Sequence, residues 1–429
     1  MRAAHFGSAA LLLQLELILD LRAQKVQADQ QVPFQLLSYE LLRLRCLCGR
    51  TLNESRSVTA TRTTPMQVRG ASLDDYLQIA ELETRYGLET KTREEWEHLW
   101  VNNPVYRQIE KNWPIGWVLE DSTLKVVGYI GNIPLLYELN GKQFLIATTR
   151  AWVVDSAYRS YSLLLLDYFF AQRNVDLFLT TSLNSEAFEG FRSFEPSPVP
   201  VGDWDRSRFW ITNYSGFAAS WLRAREMPFA EPLTYPLSVL QSIKNKLGTK
   251  YVPTNGRQEL QFCAGFDERF DTFWEELKRK RSQVLLSART REILNWHFRY
   301  ALARSEAWII CICEQSRLLA YSIFYRQDNP RLGLKRVRMA DFQTIVDDDS
   351  LLLPMLSCAL DRCRKTGIHM LEIIGIRQEK AQVIDKLRPH QRKLPSWLAF
   401  YKANRPQLIE SLKDAKHWHL SCFDGDISL

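Results

Sequence analysis

The stretch "VVDSAYRSYSLLLLDYFF", Val153 to Phe170, gathers residues with an obvious chemical use at the point where a strand turns into a helix. Arg159, Ser160, Tyr161 and Ser162 occupy the turn, and a strongly apolar run follows. The first turn of a helix has backbone N–H groups without partners and a partial positive charge, so it suits a phosphate or another anion. Arg159 adds a full charge there, and the hydroxyls of Ser160 and Ser162 add donors. The same letters also fit the entry to a core helix whose leucines pack on a sheet. Both uses stay open at this point.

The elements that must position this turn begin at Met66. "VRGA" suits an edge strand, and Ser72 or Asp74 can cap an amphipathic helix running to about Tyr86. "KTREEWEHLWVNNP" reads as a second helix ending near Pro104. Three strands follow, "GWVLED", "KVVGYIGNIPLLYE" and "QFLIATTRAWVVD". Asn140-Gly141 predicts a two-residue hairpin between the last two, because both turn positions need positive φ. After the helix from about Tyr161 to Arg173 come the strand "VDLFLTTS" and the helix "NSEAFEGFRSF". If the third strand and the one after the helix run parallel and splay, a crevice opens beside the helix start.

Residues 195–256 are rich in Pro, Trp and Ser and read as loops plus a linking helix. Beyond them the order helix–helix–hairpin–strand–helix–strand returns, from "FDERFDTFWEELKRKRS" to "IHMLEIIGI", which predicts an internal duplication. The expected fold is mixed α/β in two halves, residues 66–200 and 261–429, each a mostly antiparallel central sheet flanked by helices. Residues 201–260 link them. Residues 1–65 read as a poorly structured extension or a segment upstream of a true start at Met66.

The chain has 429 residues, 46% hydrophobic and 24% charged, with a formal charge of +7, which describes a globular protein rather than a nucleic-acid footprint. "AALLLQLELILDLRAQ" is interrupted by Gln14, Glu16 and Asp20 and is too short and acidic for a membrane span. None of the eight cysteines forms a C-x-x-C pair, and Cys311 and Cys313 in "AWIICICE" read as buried strand thiols. Scattered thiols fit a reducing compartment, so a cytoplasmic location is expected. Asp347, Asp348 and Asp349 read as helix-capping acids rather than metal ligands, and the basic run Glu276–Gln283 as a solvated face. His417 and His419 near Asp424 and Asp426 lie in a tail, and no metal site is expected.

The sequence resembles the GNAT superfamily of acyl-CoA N-acyltransferases over about Met66 to Val201, and more loosely over Phe266 to Ile376. The family's diphosphate turn reads Q/R-x-x-G-x-G/A. In "VVDSAYRSYSLL", Arg159 matches its first position, Ser162 stands for the first glycine and Leu164 for the second small residue. The family's second motif, N-x-x-A-x-x-x-Y-x-x-x-G-F, is met in "NSEAFEGFRSFEP" by Asn184 and Ala187, with Phe191 for the tyrosine and Glu195 for the glycine. Taken whole, with "TREILNWHFRY" and "WHLSCFDGDISL", the chain looks like bacterial tandem-GNAT proteins related to FemAB-type transferases.

The resemblance implies acetyl-CoA or another acyl-CoA as co-substrate and a small-molecule or peptide amine as acceptor. It places the cofactor on Val153, Val154, Arg159, Ser160, Tyr161, Ser162 and Asn184, the last of which fits a helix cap equally well. A backbone N–H from Trp152 to Val154 would stabilise the oxyanion; a water or Glu138 is the guess for the base. The three aspartates at the second half's turn would repel a diphosphate, so cofactor binding is expected in the first half alone. Two other readings stay open: a non-catalytic binding or assembly module, and a transferase using aminoacyl-tRNA, for which the basic run would have a role.

Overall fold

The computed structural model describes residues 66–109, 113–202, 204–225, 256–394 and 398–429. The expectation for residues 1–65 lies outside them. In the first half, β1 (Gln67–Gly70) is followed by α1 (Tyr76–Arg85), α2 (Arg93–Val101) and α3 (Pro104–Gln108). Capping fixes each start: Ser72 and Asp75 bond reciprocally before α1, Thr92 and Glu95 at α2, and Asn103 bonds the N–H of Val105 before Pro104. The meander is β2 (Gly116–Glu120), β3 (Val126–Leu139) and β4 (Lys142–Val154). Asn140 and Gly141 turn between the last two with φ of 52° and 71°, as the hairpin demands. Then come α4 (Ser162–Phe170), β5 (Leu177–Leu183), α5 (Ser185–Arg192) and the short β6 (Ser197–Pro198).

The segment expected to be loops plus a helix holds a strand, β7 (Arg206–Ile211), before α6 (Tyr214–Ala224). "RSRFWI" is aromatic and β-branched enough for a buried strand, but it is short and flanked by turn residues. The second half continues with β8 (Glu259–Cys263), α7 (Glu268–Lys280), β9 (Leu286–Ser287) and α8 (Arg291–Ala303). The hairpin β10 (Ala307–Glu314) and β11 (Arg317–Arg326) leads to β12 (Arg336–Thr344), α9 (Leu352–Lys365) and β13 (Met370–Ile374). The chain finishes with α10 (Gln378–Asp385), β14 (His390–Lys393), β15 (Leu398–Ala403) and α11 (Pro406–Ser411).

The strand orders are β1-β2-β3-β4-β5-β15-β6 in one sheet and β8-β10-β11-β12-β13-β7-β14 in the other. They are the same order with one strand exchanged: β15 fills the place next to β5, and β7 the matching place next to β13. Each sheet therefore contains chain from both sides of the expected division. Among the named strands, only β4 with β5 and β12 with β13 run parallel. Both parallel pairings are brief: Ile146 and Ala147 against Leu177 and Phe178, and Arg336 to Arg338 against Met370 to Glu372. Beyond those residues the strands part, so each sheet has a splay at the end from which the next helix starts.

Strand alternation sends one set of side chains to a core shared by both sheets and the other set outward. Tyr129, Leu177, Ile309 and Tyr321 meet in the shared core. Leu165 and Phe169 of α4 cover the outer face of the first sheet over Ile130 and Phe178, and Leu356 and Leu360 of α9 do the same over Ile310 and Leu371. At the centre Arg289, 1% exposed, pairs with Asp341 at 2.7 Å and Asp424 at 3.4 Å. No helix among the described residues is long and apolar enough to cross a membrane.

Candidate functional site

The turn singled out by the sequence lies at the mouth of the first splay. Ser156–Tyr161 forms a 3₁₀ stretch capped by Asp155, whose carboxylate accepts from the Ala157 N–H at 3.2 Å. Arg85 holds that carboxylate at 2.8 Å, so its charge is already compensated. The first turn of α4 contains no acid and no side-chain cap. Ser162 is buried, Ser160 is exposed, and Arg159 and Tyr161 are half-buried. Among the described residues, no ion pair engages the Arg159 guanidinium. Leu163, Leu165 and Leu166 turn into the core, whereas Leu164, which stands for the family's second small residue, is half-buried.

The other family-implied residues have structural partners. Val153 and Val154 close β4, paired with Tyr129 and Gly128, and their side chains enter the shared core and the core under α4 respectively. Asn184 caps α5 by accepting from the Ala187 N–H at 2.7 Å. Phe191 is buried against Trp152 and Phe170, so its ring belongs to the core.

The sequence did not announce what happens between these points. The β3–β4 register jumps from Trp152–Ile130 to Arg150–Gly131, which leaves Ala151 outside the ladder with φ of 50°. That is a β-bulge with a strained non-glycine residue, a device that re-aims a strand at a site. Gly131 is required opposite it, because a Cβ there would lie 2.7 Å from the Arg150 carbonyl oxygen. Past the bulge, the Trp152 indole packs on Gly190 and Leu163, wedged between α5 and α4, with its Nε1 buried and unpartnered.

On the other side of the bulge, Arg150 reaches the Glu89 carbonyl at 3.0 Å while its Nε is buried without a partner. Glu83, 1% exposed, has an unpartnered Oε1. Burial raises its carboxyl above the usual range, opposed by Arg150 and Lys91. Glu83 was legible in principle: it sits with Ile79 and Leu82 on the apolar stripe of α1, where an acid is out of place. Its neighbour Thr84 lines a cavity of about 1,020 Å³ between the halves, with Lys91, Trp296, His297, Tyr300 and Arg336. Burial, reinforced by Arg150, lowers Lys91 to about 8.

Glu138, the guessed base, instead pairs with Lys278 at 3.4 Å. The basic run is solvated in part, as expected: Arg279 and Lys280 are exposed, whereas Lys278 and Arg281 are partly withdrawn. Besides Lys278, Lys280 donates to the Ile345 carbonyl at 2.6 Å and burial lowers Arg281.

The second splay has a different content. Asp348 caps the start of the α9 segment by accepting from the Ser350 N–H at 2.9 Å, with Asp349 in the same turn. The segment 418–424 enters the splay itself: the Phe423 N–H bonds the Ala340 carbonyl at 2.9 Å. What remains is a space of about 30 Å³ bounded by residues that include Phe342, Gly375, Lys380 and His419. Burial lowers Lys380 to about 8 and holds His419 well below its ordinary value. Among the described residues, no three or more His, Cys, Asp or Glu side chains are grouped so as to hold a metal ion.

No family model matches the sequence. No curated protein matches it either. Among solved structures, Saccharomyces cerevisiae N-myristoyltransferase with bound myristoyl-CoA is similar over 81% of this chain and 82% of its own, at 13% identity and a TM-score of 0.51. A second structure of that yeast enzyme with myristoyl-CoA gives 14% identity, 82% and 86% coverage and a TM-score of 0.50. An N-acetyltransferase from Anabaena variabilis gives 11% identity, 79% and 72% coverage and 0.49. The chain shares the fold of that yeast enzyme, mixed α/β in two halves with mostly antiparallel sheets.

Proposed function

We propose that the protein is an N-acyltransferase taking its acyl group from an acyl-CoA-type thioester, with the diphosphate on the first turn of α4. One observation carries this reading. The first splay combines a helix start free of acids, an Arg159 without an ion pair among the described residues, and a strained bulge at Ala151 on the adjoining strand edge. The yeast myristoyltransferase structures, which hold myristoyl-CoA, share the fold and so support a thioester as substrate. The amine acceptor enters by the cavity between the halves. Its nitrogen adds to the thioester carbonyl, the C–S bond breaks, and the amide and a free thiol result. Backbone N–H groups around the bulge stabilise the oxyanion, and Glu83, buried next to the cavity-lining Thr84, takes the proton from the amine by way of a water, a role suited to a carboxyl raised by burial.

The test is product formation. The protein is incubated with acetyl- to myristoyl-CoA and a panel of amines and lysine-containing peptides, and acylated product is followed by mass spectrometry. Acylation by the wild type, with kcat falling roughly 100-fold or more in Glu83→Gln, is the expected result. Thioester binding without transfer to any acceptor would favour the second reading, a non-catalytic binding module. Phe191 favours that module, because a buried phenyl ring has no proton for a leaving thiolate.

A further inference from the structure

Three thiols that play no part in the proposed transfer meet at the edge of the second sheet. Cys263 lies on the edge strand β8, and Cys311 and Cys313 lie on β10, all turned toward the shared core. The register puts Cys263 opposite Ile309 and Gln261 opposite Cys311, so Cys263 and Cys311 are diagonal neighbours, and their sulfurs lie 3.1 Å apart. Arg269, in the first turn of α7, lies over them, with Nη2 3.7 Å from the Cys263 sulfur and Nη1 3.5 Å from that of Cys313. Asp267 fixes the guanidinium through Nε at 3.0 Å and Nη2 at 2.7 Å. Cys263 is half-buried and Cys311 fully buried, so a reagent meets Cys263 first.

We propose that Cys263 is a peroxide-reactive thiol and that Cys311 resolves its oxidised form as a disulfide. The Cys263 thiolate is held by the S–H of Cys311 and the charge of Arg269, an electropositive and partly accessible setting of the kind that activates a cysteine. Donation from Cys311 and the arginine together lower Cys263 to about 7, while Cys311 is raised. The thiolate attacks one peroxide oxygen, the O–O bond breaks, and hydroxide leaves Cys263 as a sulfenic acid. The sulfur of Cys311 then displaces the hydroxyl, its proton departs with that oxygen as water, and the S–S bond forms. Two electrons pass from the two sulfurs to the peroxide. The sulfurs must close by roughly 1 Å to reach bonding distance.

The experiment uses the full chain and hydrogen peroxide, with peptide mapping under non-reducing conditions. The expected result is a Cys263–Cys311 linked peptide from the wild type. Cys311→Ser should stop at a sulfenic acid on Cys263 that dimedone traps. Before oxidation, iodoacetamide at pH 7 should modify Cys263 about tenfold faster than Cys358, whose thiol is raised by burial and by Asp361. Arg269→Met, which keeps both sulfurs, should remove most of that advantage. Alkylation of Cys263 no faster than Cys358 would overturn the activated thiol. Persistent sulfenic acid in the wild type, or a link from Cys263 to another cysteine, would overturn the role of Cys311.

Discussion

The starts of α4 and α9 stand at the same place in two sheets of the same strand order, and their side chains differ in charge: acids before α9, where Asp349 faces Arg281 and Lys380, and an arginine before α4. Before α9, Asp348 and Asp349 supply carboxylates to the helix start, and the segment 418–424 occupies the splay. Before α4, the carboxylate present, Asp155, is taken by Arg85, the Ser162 N–H closes onto the Arg159 carbonyl, and among the described residues no ion pair offsets the Arg159 guanidinium. A helix start that supplies its own acids has little attraction left for an anion, whereas one flanked by a guanidinium that no described acid pairs retains it. The duplication thus yields one half sealed by its own residues and one left open. Sequence similarity between the halves would not show this, because the fold is kept and only the charge at one turn differs.

The largest expected effect tests the seal. Arg289→Met would leave Asp341 and Asp424 buried without a counter-charge, and urea unfolding should show a loss of about 3–5 kcal/mol. A loss below 1 kcal/mol would mean that the buried triad does not hold the second half closed.

Next comes pH. Burial keeps His419 neutral in the folded chain, so its folded pKa is depressed and the unfolded chain binds a proton that the folded one does not. Its contribution is present above about pH 6.5 and is lost as pH falls, by up to roughly 1.4 kcal/mol per pH unit. The paired Asp341, held low by Arg289 against its burial, does not lose its contribution until below about pH 4. Stability measured from pH 7 to 5 should therefore slope downward in the wild type and less steeply in His419→Gln, the remaining slope belonging to His297 and His369, which burial also lowers. An unchanged slope in that variant would place the titrating group elsewhere.

The smallest effect sharpens the account of the open half. Asn184 is engaged as a helix cap, so Asn184→Ala should cost about 1 kcal/mol in a thermal or urea melt and leave thioester affinity unchanged. A fall in affinity at constant stability would return Asn184 to the ligand.

Much of this frame was legible because its signals are local. Asn140-Gly141, the cap at Ser72 before α1, and the strand–turn–helix around Arg159 follow from short-range rules. The splay was legible too, as the consequence of a parallel pair after a meander. The exchange of β7 and β15 was not, since which sheet a short strand joins depends on partners far away in sequence. Nor was the bulge: Ala151 at positive φ has no side chain that announces it, and it exists because Gly131 opposite admits the approach. Glu83 was visible as an acid on an apolar stripe, but its meaning needed Arg150 from another element.

The most direct test of the open and sealed halves is a calorimetric titration of acetyl-, palmitoyl- and free CoA into the wild type, Arg159→Glu and Asp348→Asn. The account predicts saturable binding by the wild type, weakened about 10- to 100-fold by Arg159→Glu and untouched by Asp348→Asn. Binding that survives Arg159→Glu, or no binding by the wild type, would contradict it and leave the start of α4 as the entry to a core helix.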